Sequence, residues 1–84
     1  MAVKVTVRYF AAARAAAGFD DEIVGVAAGT TIGALVHSLG ERNPDLAKVL
    51  SRCSYLCDGI AVRDLGMTVR DAQTVDVLPP FAGG

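Results

Sequence analysis

The side chains of this sequence that could act as nucleophiles or metal ligands are few. The chain has 84 residues, with two cysteines and one histidine. Cys53 and Cys57 are four positions apart, and on a strand this spacing puts both thiols on one face, about 13 Å apart, too far for a shared metal ion or a direct disulfide. Two thiols and one histidine are also fewer than the four ligands that a structural zinc site needs. We therefore expect two free thiols that pack as small, buried or half-buried side chains.

The histidine and the acidic residues do not form a recognisable catalytic group either. His37 lies beside the apolar stripe of a predicted helix, and Glu41 is four residues further on. A general base needs a partner that orients it, and none is indicated, so we expect a solvated His37 that pairs with Glu41 at the surface. The acidic run at residues 20–22 is expected to solvate a turn, and no ligands converge on it to form a metal site. Neither a G-x-G-x-x-G nor a G-x-x-x-x-G-K-[ST] motif occurs, so no nucleotide-binding loop is predicted.

The last six residues, 79–84, carry a different kind of chemistry. Pro79 and Pro80 stiffen the exit from the last predicted strand, and the six residues can reach about 20 Å when extended. Gly83 and Gly84 lack a β-carbon, so the tip can enter a channel that a larger side chain would block. An α-carboxylate is ionised at neutral pH and can attack the α-phosphate of an ATP molecule that a partner holds. The alternative is a frayed terminus without a function.

Composition and charge restrict the classes of partner. Apolar residues make up 52% of the chain and charged residues 20%, which is enough apolar side chain for a folded domain. The net charge is −1 and the pI is near 5.6, the wrong balance for a nucleic-acid-binding domain. No apolar run is long enough to span a membrane, and residues 1–5 do not resemble a signal peptide. We therefore expect a cytoplasmic protein that binds neither nucleic acid nor membranes.

The first third of the chain predicts two strands and a short helix. Residues 3–10 alternate apolar and polar side chains with period two, which is typical of a half-buried strand. The alanine-rich run 11–17 predicts a helix of about two turns that ends at Gly18. Residues 22–27 predict a second, weaker strand, followed by a turn.

The centre of the chain predicts two consecutive helices. Thr30 and Thr31 offer an N-cap, and Gly40 is a candidate for the end of the first helix. Asn43 followed by Pro44 is a typical start for a second helix. The first helix has the apolar i, i+3, i+4, i+7 stripe of an amphipathic helix, formed by Ile32, Leu35, Val36 and Leu39.

The last third predicts three strands. Residues 54–57 and 60–62 flank Asp58-Gly59, a strong signal for a two-residue β-hairpin turn. Residues 74–78 alternate again and lead into the tail. The element order predicts an α+β β-grasp fold, in which a mixed sheet has one main helix packed on one face. The opposite face should carry polar residues or meet a partner. We expect one domain at residues 1–78 and an extended tail at residues 79–84.

Three parts of the sequence together match the pattern of a known family: residues 5–14 with Gly18, Thr31 with Leu35, and residues 78–84, Leu-Pro-Pro-Phe-Ala-Gly-Gly. Through these residues the sequence resembles the MoaD family, the small subunits of molybdopterin synthase among the ubiquitin-like sulfur carriers, over nearly its whole length. Two turns depart from the family pattern. Residues 57–59 read Cys-Asp-Gly instead of Val-Asn-Gly, and residues 71–74 read Asp-Ala-Gln-Thr instead of Asp-Gly-Asp-Glu.

The resemblance implies a sulfur carrier whose C-terminal Gly84 is adenylated, converted to a thiocarboxylate, and used to deliver sulfur to cyclic pyranopterin monophosphate. Gly83 would be its steric companion, and Phe81, Pro79 and Pro80 would contact the partner at the base of the inserted tail. The chain would not be catalytic alone and would bind no cofactor or metal itself. ATP would be used by a ubiquitin-activating-like adenylyltransferase, sulfur would come from a sulfurtransferase, and two carriers would serve two large synthase subunits in a heterotetramer.

Three alternatives stay open at this point. A carrier for thiamine or cysteine biosynthesis would share the Gly83-Gly84 tip, although residues 9–14 and the paired prolines favour the molybdopterin branch. A ubiquitin-like protein modifier would instead form isopeptide bonds through Gly84. A non-covalent interaction module would tolerate a Gly84→Ala change.

Overall fold

A computed structural model describes residues 2–80 of the chain. Its helices and strands follow the predicted order. They are β1 (Ala2–Tyr9), α1 (Ala11–Ala17), β2 (Asp21–Ala27), α2 (Ile32–Arg42), α3 (Pro44–Leu50), β3 (Ser54–Cys57), β4 (Ile60–Ala61) and β5 (Thr74–Leu78).

The strands form one mixed sheet in the order β2-β1-β5-β3-β4. The central pair, β1 and β5, is parallel, with Tyr9 beside Val77, and the other neighbouring strands pair antiparallel. The predicted mixed sheet and the hairpin around Asp58-Gly59 are therefore confirmed. Because the first and last strands are central neighbours, the chain leaves the sheet next to the start of α1, where the Phe10 amide donates to the Val77 carbonyl at 3.3 Å.

The core lies between the sheet and the helices. The period-two alternation of β1 is confirmed, because Val5 and Val7 are fully buried while Lys4 and Arg8 are exposed. The main helix α2 buries three of the four residues of the apolar stripe expected for it, whereas Val36 is half-buried. The short helix α3 packs against α2, and α1 packs against α3. Their buried side chains are Ile32, Leu35 and Leu39 from α2, Ala13 from α1, and Leu46 and Leu50 from α3.

The helix boundaries depend on local hydrogen bonds. Thr31 Oγ1 accepts from the Ala34 amide at 3.0 Å, and the Asn43 side chain caps α3 as predicted. The prediction that Gly40 ends the first helix is wrong, because α2 continues to Arg42. A β-carbon at Gly40 would lie 3.1 Å from the β-carbon of Ala47. Glycine at this position thus allows α2 and α3 to pack closely.

The turn before β5 has an alanine in a conformation that favours glycine. Ala72 has a φ of 67°, and its amide donates to the Lys4 carbonyl at 2.8 Å. Because an L-residue with a side chain in the left-handed region costs about 1 kcal/mol, Ala72→Gly should raise the free energy of unfolding by roughly 0.5 kcal/mol and the Tm by about 3 °C. Calorimetry would check this increase. Ala28→Gly, in a turn where φ is not positive, is the control and should lower the Tm. If Ala72→Gly also lowered the Tm, this result would contradict backbone strain at Ala72.

Candidate functional site

The site indicated by the sequence begins where β5 ends. Leu78 is the last residue of β5, Pro79 is buried and Pro80 is exposed, so the chain leaves the domain surface between the two prolines. The other predicted site residues, Phe81, Gly83 and Gly84, lie outside the described residues, and their roles stay predictions.

A groove of about 570 Å³ lies beside the two prolines, between α1 and α3. Lys48 and Arg52 at this groove are exposed, and within residues 2–80 neither forms an ion pair. Among the described residues no acidic side chain lines the groove, so its charge is positive at the base of the tail. Its lining residues are Ala12, Lys48, Val49, Ser51 and Arg52 together with the two prolines. Lys48 and Arg52 could not be identified from the sequence, because only the packing of α3 brings them next to the two prolines.

The uncovered face of the sheet carries a partly buried ion pair. Arg8 Nε and Nη2 donate to the two carboxylate oxygens of Asp76 at 2.6 and 2.8 Å. Asp76 is buried, whereas the Arg8 side chain is half-exposed and lies over the ring of Phe10, with 5.6 Å from Cζ to the ring centroid. The hydrogen bonds from Arg8 to Asp76, and then the negative charge of that carboxylate, raise the pKa of the guanidinium. This face therefore has fixed polar groups at its centre, as expected for an exposed sheet face.

The cysteines have packing roles, as predicted. Both are free thiols; Cys57 is buried on β3, and Cys53 lies just before β3 with its Sγ donating to the Val49 carbonyl at 3.2 Å. Burial raises the pKa of both thiols, which keeps them protonated at neutral pH. Within residues 2–80 no group of three or more histidine, cysteine or acidic side chains could hold a metal ion.

The predicted surface pair of His37 and Glu41 is confirmed, with Nε2 and Oε1 2.6 Å apart and both side chains exposed. The prediction that the acidic run solvates a turn is wrong for Asp21 and Glu22, which both belong to β2. The Oε2 of Glu22 accepts from the Tyr9 hydroxyl at 2.6 Å and from Arg42 at 2.9 Å. This contact could not be predicted from the sequence, because it depends on the pairing of β2 with β1 and on the end of α2.

The two tyrosines make the stability of the domain depend on pH in alkaline solution. Burial, and then a hydrogen bond to Glu22, raises the pKa of Tyr9, and burial raises the pKa of Tyr55 to about 12. A group with a raised folded-state pKa contributes stability below its unfolded pKa, near 10, and this stability is lost as the pH rises towards the folded value. Since there is no tryptophan, the tyrosinate absorbance of the native protein should stay low at about pH 10. Half-ionisation of the folded protein at that pH would contradict the burial.

None of the helices within residues 2–80 has both the length and the apolar character needed to cross a bilayer.

Comparisons with known proteins agree with this geometry. A family model described as the ThiS family matches residues 7–84. A Pyrococcus furiosus protein described as molybdopterin converting factor, subunit 1, is 25% identical with a TM-score of 0.85, covering 94% of this chain and 99% of its own. SAMP1 from Haloferax volcanii is 24% identical with a TM-score of 0.83, covering 96% of this chain and 99% of its own.

Another similar structure is a complex of subunits 1 and 2 of the molybdopterin-converting factor from Helicobacter pylori. The matched chain is 18% identical with a TM-score of 0.73, covering 98% of this chain and 100% of its own. Matches below 25% identity show the fold alone, here the ubiquitin-like β-grasp that the element order predicts. No curated protein sequence matches. Since the family model extends from β1 to Gly84, the chain belongs to the ThiS family and has its ThiS/MoaD-like sulfur-carrier fold.

Proposed function

We propose that this protein is the sulfur-carrying small subunit of a molybdopterin synthase. The observation that carries the proposal is the family match through Gly84, which joins a ubiquitin-like domain to a terminal glycine pair. The Gly84 carboxylate would attack the α-phosphate of ATP on an adenylyltransferase, and pyrophosphate would leave. Hydrosulfide, released from a sulfurtransferase persulfide by a thiol reductant that becomes a disulfide, would then attack the acyl-adenylate carbonyl, displace AMP and leave a thiocarboxylate.

The geometry of the domain supports this role for the tail. Pro79 is buried against the domain and Pro80 is exposed, so the tail from residue 79 to residue 84 starts from a fixed point. The five residues 80–84 beyond this point can reach about 17 Å, enough to enter a partner's channel while the domain stays outside. In this role the chain supplies the carboxylate and carries the sulfur that a sulfurtransferase provides, and partner enzymes supply nucleotide, metal and acid-base groups, all in the cytoplasm.

The acceptor in this proposal is cyclic pyranopterin monophosphate, bound by a large synthase subunit. The similarity to the Pyrococcus furiosus protein and to a chain of the Helicobacter pylori complex supports this branch of sulfur chemistry. Two carriers and two large subunits would form a heterotetramer. The residues we expect at the base of the inserted tail are Pro79, Pro80 and Phe81, with Gly83 allowing the narrow approach.

Reconstitution would test the proposed branch. The thiocarboxylated chain should co-purify with a molybdopterin synthase large subunit and convert cyclic pyranopterin monophosphate to the dithiolene product. The same chain offered to a thiazole synthase should transfer no sulfur. Transfer to the thiazole synthase alone would overturn the molybdopterin assignment and leave the carrier chemistry intact.

A protein modifier is the second candidate, because the fold is shared with SAMP1 of Haloferax volcanii, a small archaeal modifier protein. A modifier would form isopeptide bonds through the same Gly84 carboxylate. Incubation of the tagged chain with cell extract and ATP separates the two functions. A ladder of conjugates would support the modifier, whereas the carrier should show only the free chain.

Charge reversal at the groove beside the tail should weaken transfer. Lys48 and Arg52 are the exposed cations next to the two prolines, and a partner that receives the tail would meet them first. The double variant Lys48→Glu/Arg52→Glu should lower the rate of sulfur transfer to the large subunit about 10-fold. Arg63→Glu/Arg70→Glu changes the net charge equally at exposed positions away from this groove and should leave the rate unchanged. Equal effects of both double variants would show that net charge, not this groove, matters.

A further inference from the structure

The strand β2 is apolar but incompletely covered. It lies at one edge of the sheet, and none of its residues is buried, although its sequence is Asp-Glu-Ile-Val-Gly-Val-Ala. Ile23 is 71% exposed on the open sheet face, and Val24 and Val26, which face the helices, are only half-buried. An edge strand of this kind has no lysine or proline to prevent pairing with another chain.

The backbone groups at this edge are available for such pairing. The Tyr9 amide donates to the Asp20 carbonyl at 2.8 Å, which makes these two residues a hydrogen-bonded pair of the antiparallel ladder. Hydrogen-bonded pairs recur at every second residue, so Glu22 and Val24 also face β1. The N–H and C=O groups of Asp21, Ile23 and Gly25 therefore point away from the sheet.

Neither the backbone conformation nor the packing within the chain requires glycine at position 25. Its φ is not in the left-handed region, and a β-carbon built on it would meet nothing within 4 Å. Glycine in the middle of a strand weakens the strand, and it is often found where a ligand or another backbone approaches closely. The space at Gly25 lies on the open face, one position away from the exposed Ile23 side chain on that face.

We propose that two copies of this chain pair through β2, antiparallel and two-fold symmetric, to form a continuous ten-stranded sheet. In the register that centres on Val24, Ile23 of one copy lies opposite Gly25 of the other, and the reverse contact occurs by symmetry. The large side chain fills the space left by the glycine, and the outward N–H and C=O groups of Ile23 and Gly25 bond each other. Asp21 lies opposite Ala27, so this register brings no like charges together.

This pairing is compatible with a free tail. The edge strand β2 is separated from β5 by β1, so Pro79 and Pro80 stay outside the paired edge. A strand-to-strand contact is smaller than a standard protein interface, so the association should be weak and depend on concentration. The inference does not rest on the proposed sulfur chemistry.

Sedimentation of the full chain over a concentration series tests the pairing. The weight-average mass should rise from 8.7 kDa towards about twice that value as the concentration approaches about 1 mM. Amide exchange at Ile23 and Gly25 should slow over the same series. A mass of 8.7 kDa at every concentration would overturn the proposal.

Three variants test the register. Gly25→Val should keep the fold, since the added β-carbon meets nothing within 4 Å, and should abolish the rise in mass. Ile23→Lys, at an exposed position, should do the same. The exchanged double variant Ile23→Gly/Gly25→Ile recreates the large-to-small contact and should restore association. Association that persists in Gly25→Val, or that the exchanged variant fails to restore, would overturn this pairing.

Discussion

Deletion of Gly84 is expected to reduce sulfur transfer at least 100-fold while leaving the free energy of unfolding unchanged. The shortened chain ends one residue early, so its carboxylate falls about 3 Å short of the reacting position. A misplacement of about 1 Å can already lower a reaction rate about 100-fold. The described core is built from residues 5–77, so the deletion removes none of it. Transfer assays with the large subunit and urea unfolding would measure the two effects.

The variant Gly84→Ala distinguishes the effect of tail length from the effect of tail width on sulfur transfer. This variant keeps the full length and the terminal carboxylate, and it adds one methyl group. It should be transferred more slowly than the unchanged chain if the tip enters a narrow channel. Normal transfer by Gly84→Ala would contradict the channel and favour a non-covalent module, and loss of folding on deletion of Gly84 would contradict a tail that is separate from the core.

The largest expected effect on stability is that of Leu35→Ala. Leu35 is fully buried in α2. Truncation of such a leucine to alanine lowers the free energy of unfolding by about 3 kcal/mol, because contacts are lost and a cavity remains. A domain of this size has a total stability of roughly 4 to 12 kcal/mol, so Leu35→Ala should lose much of its resistance to urea. Val36→Ala, at the half-buried neighbouring position, is the control and should cost about 1 kcal/mol. Equal losses in the two variants would contradict the placement of α2.

The fold could be predicted where local chemistry determines it. Alternation identified β1, the Thr31 and Asn43 caps identified the helix starts, and Asp58-Gly59 identified the hairpin. The end of α2 could not be predicted, because Gly40 is a good helix terminator by type and its use in packing depends on α3.

In the candidate site, too, the features that depend on local sequence could be predicted, and those that depend on tertiary packing could not. The glycine tail is visible in the sequence because its chemistry depends on a short, contiguous run of residue types. The ion pair of Arg8 with Asp76 spans 68 positions and depends on the parallel register of β1 and β5. The positive groove likewise depends on where α3 packs. Contacts of this kind require the tertiary structure, since alternation shows only that Arg8 faces outwards.

The central claim is that Gly84 becomes a thiocarboxylate, and intact-mass measurement tests it most directly. The chain would be incubated with a ubiquitin-activating-like adenylyltransferase, ATP and a sulfur donor, with omission of ATP as the control. We expect the mass to increase by about 16 Da, the replacement of one oxygen by sulfur, with the change located in the C-terminal peptide. An unchanged mass in the presence of all components would contradict the account.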